Sequence, residues 1–192
     1  MRVHLGDDNN AAQFSRTLLD IGNGNILNND GEVLIEPTIA TSVTGQDKLI
    51  ANVYPQVTQI SEKTDDWLRE RAILAPKNDS VTSINNKILS MFKAHQQTYL
   101  SIDNLTDQDN SIDIQIEFLN SLNPSGLPPH KLDLKIGAPI ILMRNLNTPK
   151  LCNGTRLRMV TMQRDVIEAT ILSGSAQGQV VFIPRIQMIT NE

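Results

Sequence analysis

The sequence predicts an α/β portion followed by an all-β portion, and three observations lead there. A strand-length apolar run, Ala72-Ile73-Leu74-Ala75, precedes a tight loop and an amphipathic helical pattern, which is half of a βαβ unit. After Gly126 the hydrophobic period changes from helical spacing to alternation, giving about five short strands at the spacing of a small β-barrel. Charge changes at the same place. Residues 1–126 carry 9 basic and 17 acidic side chains, a net of −8, whereas residues 127–192 carry 8 and 4, a net of +4. The expected domains are therefore 1–126 and 127–192, and the second is the better partner for a polyanion.

Taken in order, Ala11, Phe14 and Leu18 repeat at helical spacing, and Gly22 with Gly24 supply a stop. Asn28-Asn29-Asp30-Gly31 reads as a turn before a short extended run, Val33-Leu34-Ile35, which Pro37 ends. Gln46 to Val53 reads as a short helix closed by Tyr54-Pro55. After the apolar run at 72–75, Val81, Ile84, Ile88, Leu89 and Phe92 fall on one helical face, with Asn78, Asp79 or Ser80 as N-cap. Tyr99 to Ile102 is a candidate strand, and Asp103 to Asp113 an acidic surface loop.

Beyond Pro124-Ser125-Gly126, Leu132, Leu134 and Ile136 alternate, Gly137-Ala138-Pro139 breaks the strand, and Ile140 to Met143 resumes it. Thr155 to Val160 sets Leu157 and Met159 on one face and Arg156 and Arg158 on the other. Ile167, Ala169 and Ile171 alternate again, Gly174 to Gly178 turns, and Val180 to Ile183 returns.

The bulk numbers exclude several classes. With 40% apolar but only 4% aromatic residues in 192, any core is aliphatic. Cys152 is the single cysteine, so no internal disulfide or cysteine-rich zinc site is available. His4, His95 and His130 are too scattered for a metal cluster, and no metal site is expected. No stretch approaches the roughly 18 apolar residues of a membrane span, and the opening MRVHLGDDNN lacks the apolar run of a signal peptide. A soluble, intracellular chain with no membrane partner is expected.

The most informative stretch is Leu127 to Arg158, LPPHKLDLKIGAPIILMRNLNTPKLCNGTRLR. Six cations, Lys131, Lys135, Arg144, Lys150, Arg156 and Arg158, stand there against one acid, Asp133. A small, basic, twisted β-unit of this kind commonly meets phosphate. The stretch closely resembles the block that marks the petite-integration-frequency type of DNA helicase and its Helitron-transposon relatives. Ala75-Pro76-Lys77-Asn78 and the opening Met1-Arg2-Val3 resemble two further blocks of that family.

The resemblance implies a superfamily-one motor, with two RecA-like lobes that close on ATP and an SH3-like barrel, domain 2B, inserted in the second lobe. On it, the chain is a partial RecA-like lobe (2A) followed by a small SH3-like β-barrel. It also implies single-stranded DNA and the remainder of the motor as partners, translocation 5′ to 3′ with duplex unwinding, and a nuclear or mitochondrial location if the parent is eukaryotic. Arg2 would sense the nucleotide γ-phosphate, but only beside the other lobe.

The nucleic-acid candidates are Lys77, Asn78, His130, Lys135, Arg144, Asn145, Asn153 and Arg156, and each has a plainer alternative. Asn78 also reads as a helix cap, and His130, held extended after Pro128-Pro129, as a turn residue. Asn153-Gly154 is a tight-turn signal whatever the function. The cations could be merely solvated.

The departures matter as much. No G-x-x-x-x-G-K-[ST] occurs, so there is no phosphate-cradling loop, and no Asp-Glu pair follows an apolar strand to hold magnesium. The expectation is a piece of an ATP-dependent helicase, inactive by itself, with no cofactor of its own and ATP and magnesium confined to the parent. The alternative is a non-catalytic module, derived from a transposon helicase, that binds single strands or another protein.

Overall fold

The computed structural model describes residues 9–26, 31–33, 35, 37–104, 115–124 and 126–189. The chain divides into two compact units, Met1–Thr44 and Gly45–Glu192. In the first, helix α1 spans Asn9–Gly22, as the Phe14/Leu18 spacing predicts. It stops where expected: Gly24 takes a φ of 73°, and its amide donates to the Ile21 carbonyl. The extended run expected at 33–35 forms no strand among the described residues.

The second unit opens with α2 (Gln46–Val53), a 3₁₀ segment (Val57–Glu62) and α3 (Asp65–Arg69). Thr64 caps α3, its Oγ1 accepting from the Trp67 amide at 3.2 Å, and Asp65 and Asp66 fill the acidic first turn. Residues 71–75 then form neither helix nor paired strand. A strand needs a hydrogen-bonded neighbour, and Ala72 to Ala75 find none among the described residues; Leu74 is left 92% exposed. The strand expected there is not formed.

Helix α4 (Asn78–Met91) follows as its apolar face predicts, with Ile84 buried and Ile88 and Leu89 packed on the core. Its N-cap lies one residue earlier than expected. Lys77 holds the extended cap conformation (φ −122°, ψ 138°), so Asn78 and Asp79 fall inside the first turn. There the Asp79 carboxylate favours the helix dipole without capping.

Strand β1 (Gln96–Leu100) pairs antiparallel with β2 (Lys131–Lys135), Gln96 opposite Lys135 and Leu100 opposite Lys131. A short helix, α5 (Ile116–Ser121), lies between them in the chain. The backbone turns sharply at Gly137, and the chain re-enters a second sheet as β3 (Pro139–Ile141). That sheet continues antiparallel through β4 (Arg156–Met162), β5 (Val166–Ile171) and β6 (Val180–Pro184), in the order β3-β4-β5-β6. A register shift between Met159 and Thr161 marks a bulge in β4.

The class is thus α/β followed by a small antiparallel β unit, as expected, with one correction: the strands do not close into a barrel. Gly137 divides the 131–141 run, so its first half pairs with β1 and its second half with β4. The bends between sheets are held by single bonds. The Ile136 amide donates to the His95 carbonyl, and Gly137 donates to Met159, whose amide returns to Ala138.

Two cores result. One is purely β: Leu142, Leu151, Leu157, Ala169, Ile171 and Ala176. The other joins Tyr54, Val57, Ile60, Leu68 and Phe92 to Ala138 and Leu172. The second core takes residues from both sides of the Gly126/Leu127 junction.

Candidate nucleic-acid interface

A phosphate contact needs an exposed cation with a free donor, so the charges of the β unit sort by what their nitrogens already hold. Lys135 holds two backbone carbonyls. Its Nζ donates to the carbonyls of Leu89, in the last turn of α4, at 2.7 Å and of the C-cap Phe92 at 2.9 Å, and lies 5.3 Å from the Phe92 ring centroid. It is only 9% exposed. Lys135 therefore closes the C-terminus of a helix, where a positive charge favours the dipole and satisfies orphan carbonyls.

Arg156 is committed in the same way. Its NH1 donates to Arg69 at 2.9 Å, and its NH2 to Leu68 and Arg71, each at 2.9 Å. Arg158 takes the Asp65 carboxylate at 2.8 Å and the Ser61 carbonyl. The alternation of β4 is as predicted, Leu157 and Met159 being buried. Its arginine face, however, packs on residues 61–71 instead of pointing wholly to solvent.

The loop between β3 and β4 is different. Arg144 and Lys150 are exposed; Arg144 donates to the Gln187 carbonyl at 3.0 Å and Lys150 to the Gln179 side chain at 3.3 Å. Asn145 Oδ1 accepts from the Asn153 amide at 2.7 Å, and Thr155 Oγ1 accepts from the Cys152 amide at 3.1 Å. Gly154, with a φ of 86°, makes the tight turn expected from Asn-Gly. Leu146 and Leu151 anchor the loop to the β core from below. The result is a pinned loop that brings Arg144, Asn145 and Asn153 together and presents two cations.

His130 sits elsewhere, at the root of the excursion between β1 and β2. Its Nδ1 lies 2.7 Å from Ser101 Oγ and 3.3 Å from Asp103 Oδ2, and its carbonyl accepts from the Ser101 amide. A single ring nitrogen faces both partners, so this is a turn fastening and not a nucleophile–base relay. Lys77 and Asn78 are exposed at the start of α4. Arg2 lies outside the described residues.

One cluster was missed from sequence. Trp67 has the Arg71 guanidinium 4.5 Å and the Lys63 ammonium 5.6 Å from its ring centroid, and Tyr54 packs at 5.9 Å. Cation–aromatic pairing of this kind holds a partly exposed ring in place. The cationic positions 63 and 71, each four residues from Trp67, were the available signal. Burial pushes the Tyr54 phenol above its ordinary value, and the nearby Arg156 and Arg71 charges oppose the rise. A raised phenol pKa contributes stability that is complete below about pH 10 and lost as pH climbs through the raised value.

Among the described residues, no group of three or more His, Cys, Asp or Glu could hold a metal ion, and no helix is long and apolar enough to cross a membrane.

Residues 117–162 match the family model described as DNA helicase Pif1, 2B domain. That span holds β2, β3, the pinned loop and β4. Among solved structures, the chain is similar to the Pif1 helicase from Candida albicans, with 16% identity and a TM-score of 0.40 over 76% of this chain and 40% of that one. The chain thus spans about 40% of the length of that helicase. No curated protein matches it. Over residues 117–162 the chain is thus similar to the 2B domain of Pif1-type DNA helicases.

Proposed function

We propose that this chain is the 2A/2B portion of an ATP-dependent helicase that moves 5′ to 3′ along single-stranded DNA and unwinds the duplex ahead. The match of residues 117–162 to the helicase 2B domain supports it most directly. On this reading residues 1–126 belong by descent to the RecA-like lobe and 127–192 to the inserted domain. The chain supplies part of the grip on DNA. ATP and magnesium bind where the remainder of the motor supplies a phosphate loop, because none of these 192 residues form one. Arg2 would reach that nucleotide across the lobe interface. Where the parent is eukaryotic, the site of action is the nucleus or mitochondrion.

Within this portion the pinned loop is the best DNA contact, since Arg144 and Lys150 are exposed while Lys135 and Arg156 are occupied inside the fold. Aromatic residues for stacking are few, so contact with the backbone dominates and base preference is slight. The alternative, a non-catalytic single-strand binding module, is favoured by the missing phosphate loop and uses the same surface.

Fluorescence anisotropy with labelled oligo-dT across a salt series tests the surface. Binding should be micromolar or weaker, with a log–log salt slope of about −0.7 per phosphate contacted. Arg144→Ala with Lys150→Ala should remove most of it. Undiminished affinity in that double variant would sink the reading of this loop as the interface.

A further inference from the structure

We infer that Arg156 and Arg158 form a clamp that makes residues 61–71 and the β3–β6 sheet one mechanical body. The inference does not depend on the DNA reading. Arg156 alone closes three hydrogen bonds of 2.9 Å onto carbonyls at and just beyond the end of α3, those of Leu68, Arg69 and Arg71. Arg158, two residues along the same strand face, grips the start of the same segment through Asp65 and the Ser61 carbonyl. Both ends of an eleven-residue stretch are therefore tied to one strand, roughly 85 to 97 residues away in sequence.

Three further contacts fall on the same junction. Gly137 approaches so closely that an added Cβ would lie 3.0 Å from Ser61 Cα. Leu172 and Ala138 share the core of Leu68 and Ile60. Arg69 also reaches across, its NH1 donating to Gln177 Oε1 at 2.7 Å.

The carbonyls at the end of α3 lack the full set of intrahelical donors, and a guanidinium fork can satisfy several at once where an ammonium cannot. Loss of Arg156 would leave those carbonyls without the partner that ties them to the sheet. Arg156 and Arg158 are thus positioning residues: any displacement of α3 must carry β4, and with β4 the loop that starts at Arg144.

Trp67, the only tryptophan, lies inside α3 and reports on the clamped segment, while far-UV circular dichroism weighs the secondary structure of the chain as a whole. In the full chain, urea unfolding followed by the two signals should give superimposable curves. In Arg156→Ala the tryptophan transition should shift to lower urea and separate from the dichroism transition, and Arg156→Lys should not restore coincidence. Lys93→Ala, an exposed position outside the clamp, should leave both curves together.

Hydrogen exchange on the unsubstituted chain gives a second measurement that needs no variant to fold. Amides of 61–71 and of β4 should open with one common rate. Curves that still coincide in Arg156→Ala, or a 61–71 segment opening more than tenfold faster than β4 in the unsubstituted chain, would overturn the clamp.

Discussion

At position 135 a lysine carries its charge into a site that is 9% exposed, and it is tolerated there because two carbonyls receive it. Charge alone could not have placed it. In sequence Lys135 is one of six cations in a basic stretch, indistinguishable from Lys131, yet Lys131 remains 64% exposed while Lys135 caps a helix begun 57 residues earlier. The same holds for Arg156. Residue type and spacing made both legible as phosphate ligands, but their partners, at 68–71 and 89–92, are remote in sequence. By contrast Asn153-Gly154 was legible in full, because a tight turn is decided by its own residues. Lys135→Met keeps the length and removes the ammonium, leaving the Leu89 and Phe92 carbonyls without it. Thermal unfolding should report a loss of about 1–3 kcal/mol.

At the scale of elements, the helices and the alternating strands followed their apolar periods: α2 at Gln46–Val53, α4 at Asn78–Met91, and β4 and β5 with their buried residues on one face. The run at 72–75 did not, because a strand exists only in company and no neighbour stands beside it among the described residues. Gly137 shows the reverse case. It reads in sequence as a simple break, but its φ of 83° and its approach to Ser61 make it the corner on which the chain changes sheets. Gly137→Ala should cost more than Gly174→Ala. Gly174 shares the positive φ, at 94°, but has nothing within 4 Å of an added Cβ. The backbone penalty of about 1–2 kcal/mol is common to both, so chemical denaturation should show a further loss in Gly137→Ala, caused by the Ser61 contact. Equal losses would show that the approach is relieved at no cost.

At the scale of the molecule, the order of an α/β portion before a β portion was visible, because composition, charge and period all change near Gly126. The shared core was not. Leu172 and Ala138 carry no mark that assigns them to Tyr54 and Leu68, since long-range packing leaves no local period. Phosphoryl transfer is mainly positioning and charge stabilisation, and no G-x-x-x-x-G-K-[ST] loop occurs in these 192 residues to position a triphosphate. The purified 192-residue chain should show no ATP hydrolysis above buffer, with or without oligo-dT, in a coupled phosphate-release assay. Turnover that persists through repurification and falls in Arg2→Ala would contradict this.

The three bonds from Arg156 end on main-chain oxygens, and this bears on how the protein can drift under mutation. A carbonyl is offered by every residue type, so the bonds to 69 and 71 do not themselves depend on the side chains there, whose own contacts are with Gln177 and Trp67. Arg158 depends partly on the carboxylate of Asp65, so those two positions constrain each other. Tolerance across the junction is therefore lopsided. Position 156 admits almost no replacement, the carbonyls at 69 and 71 that it binds make no demand of their own on the side chains there, and 65 and 158 are free to change only together.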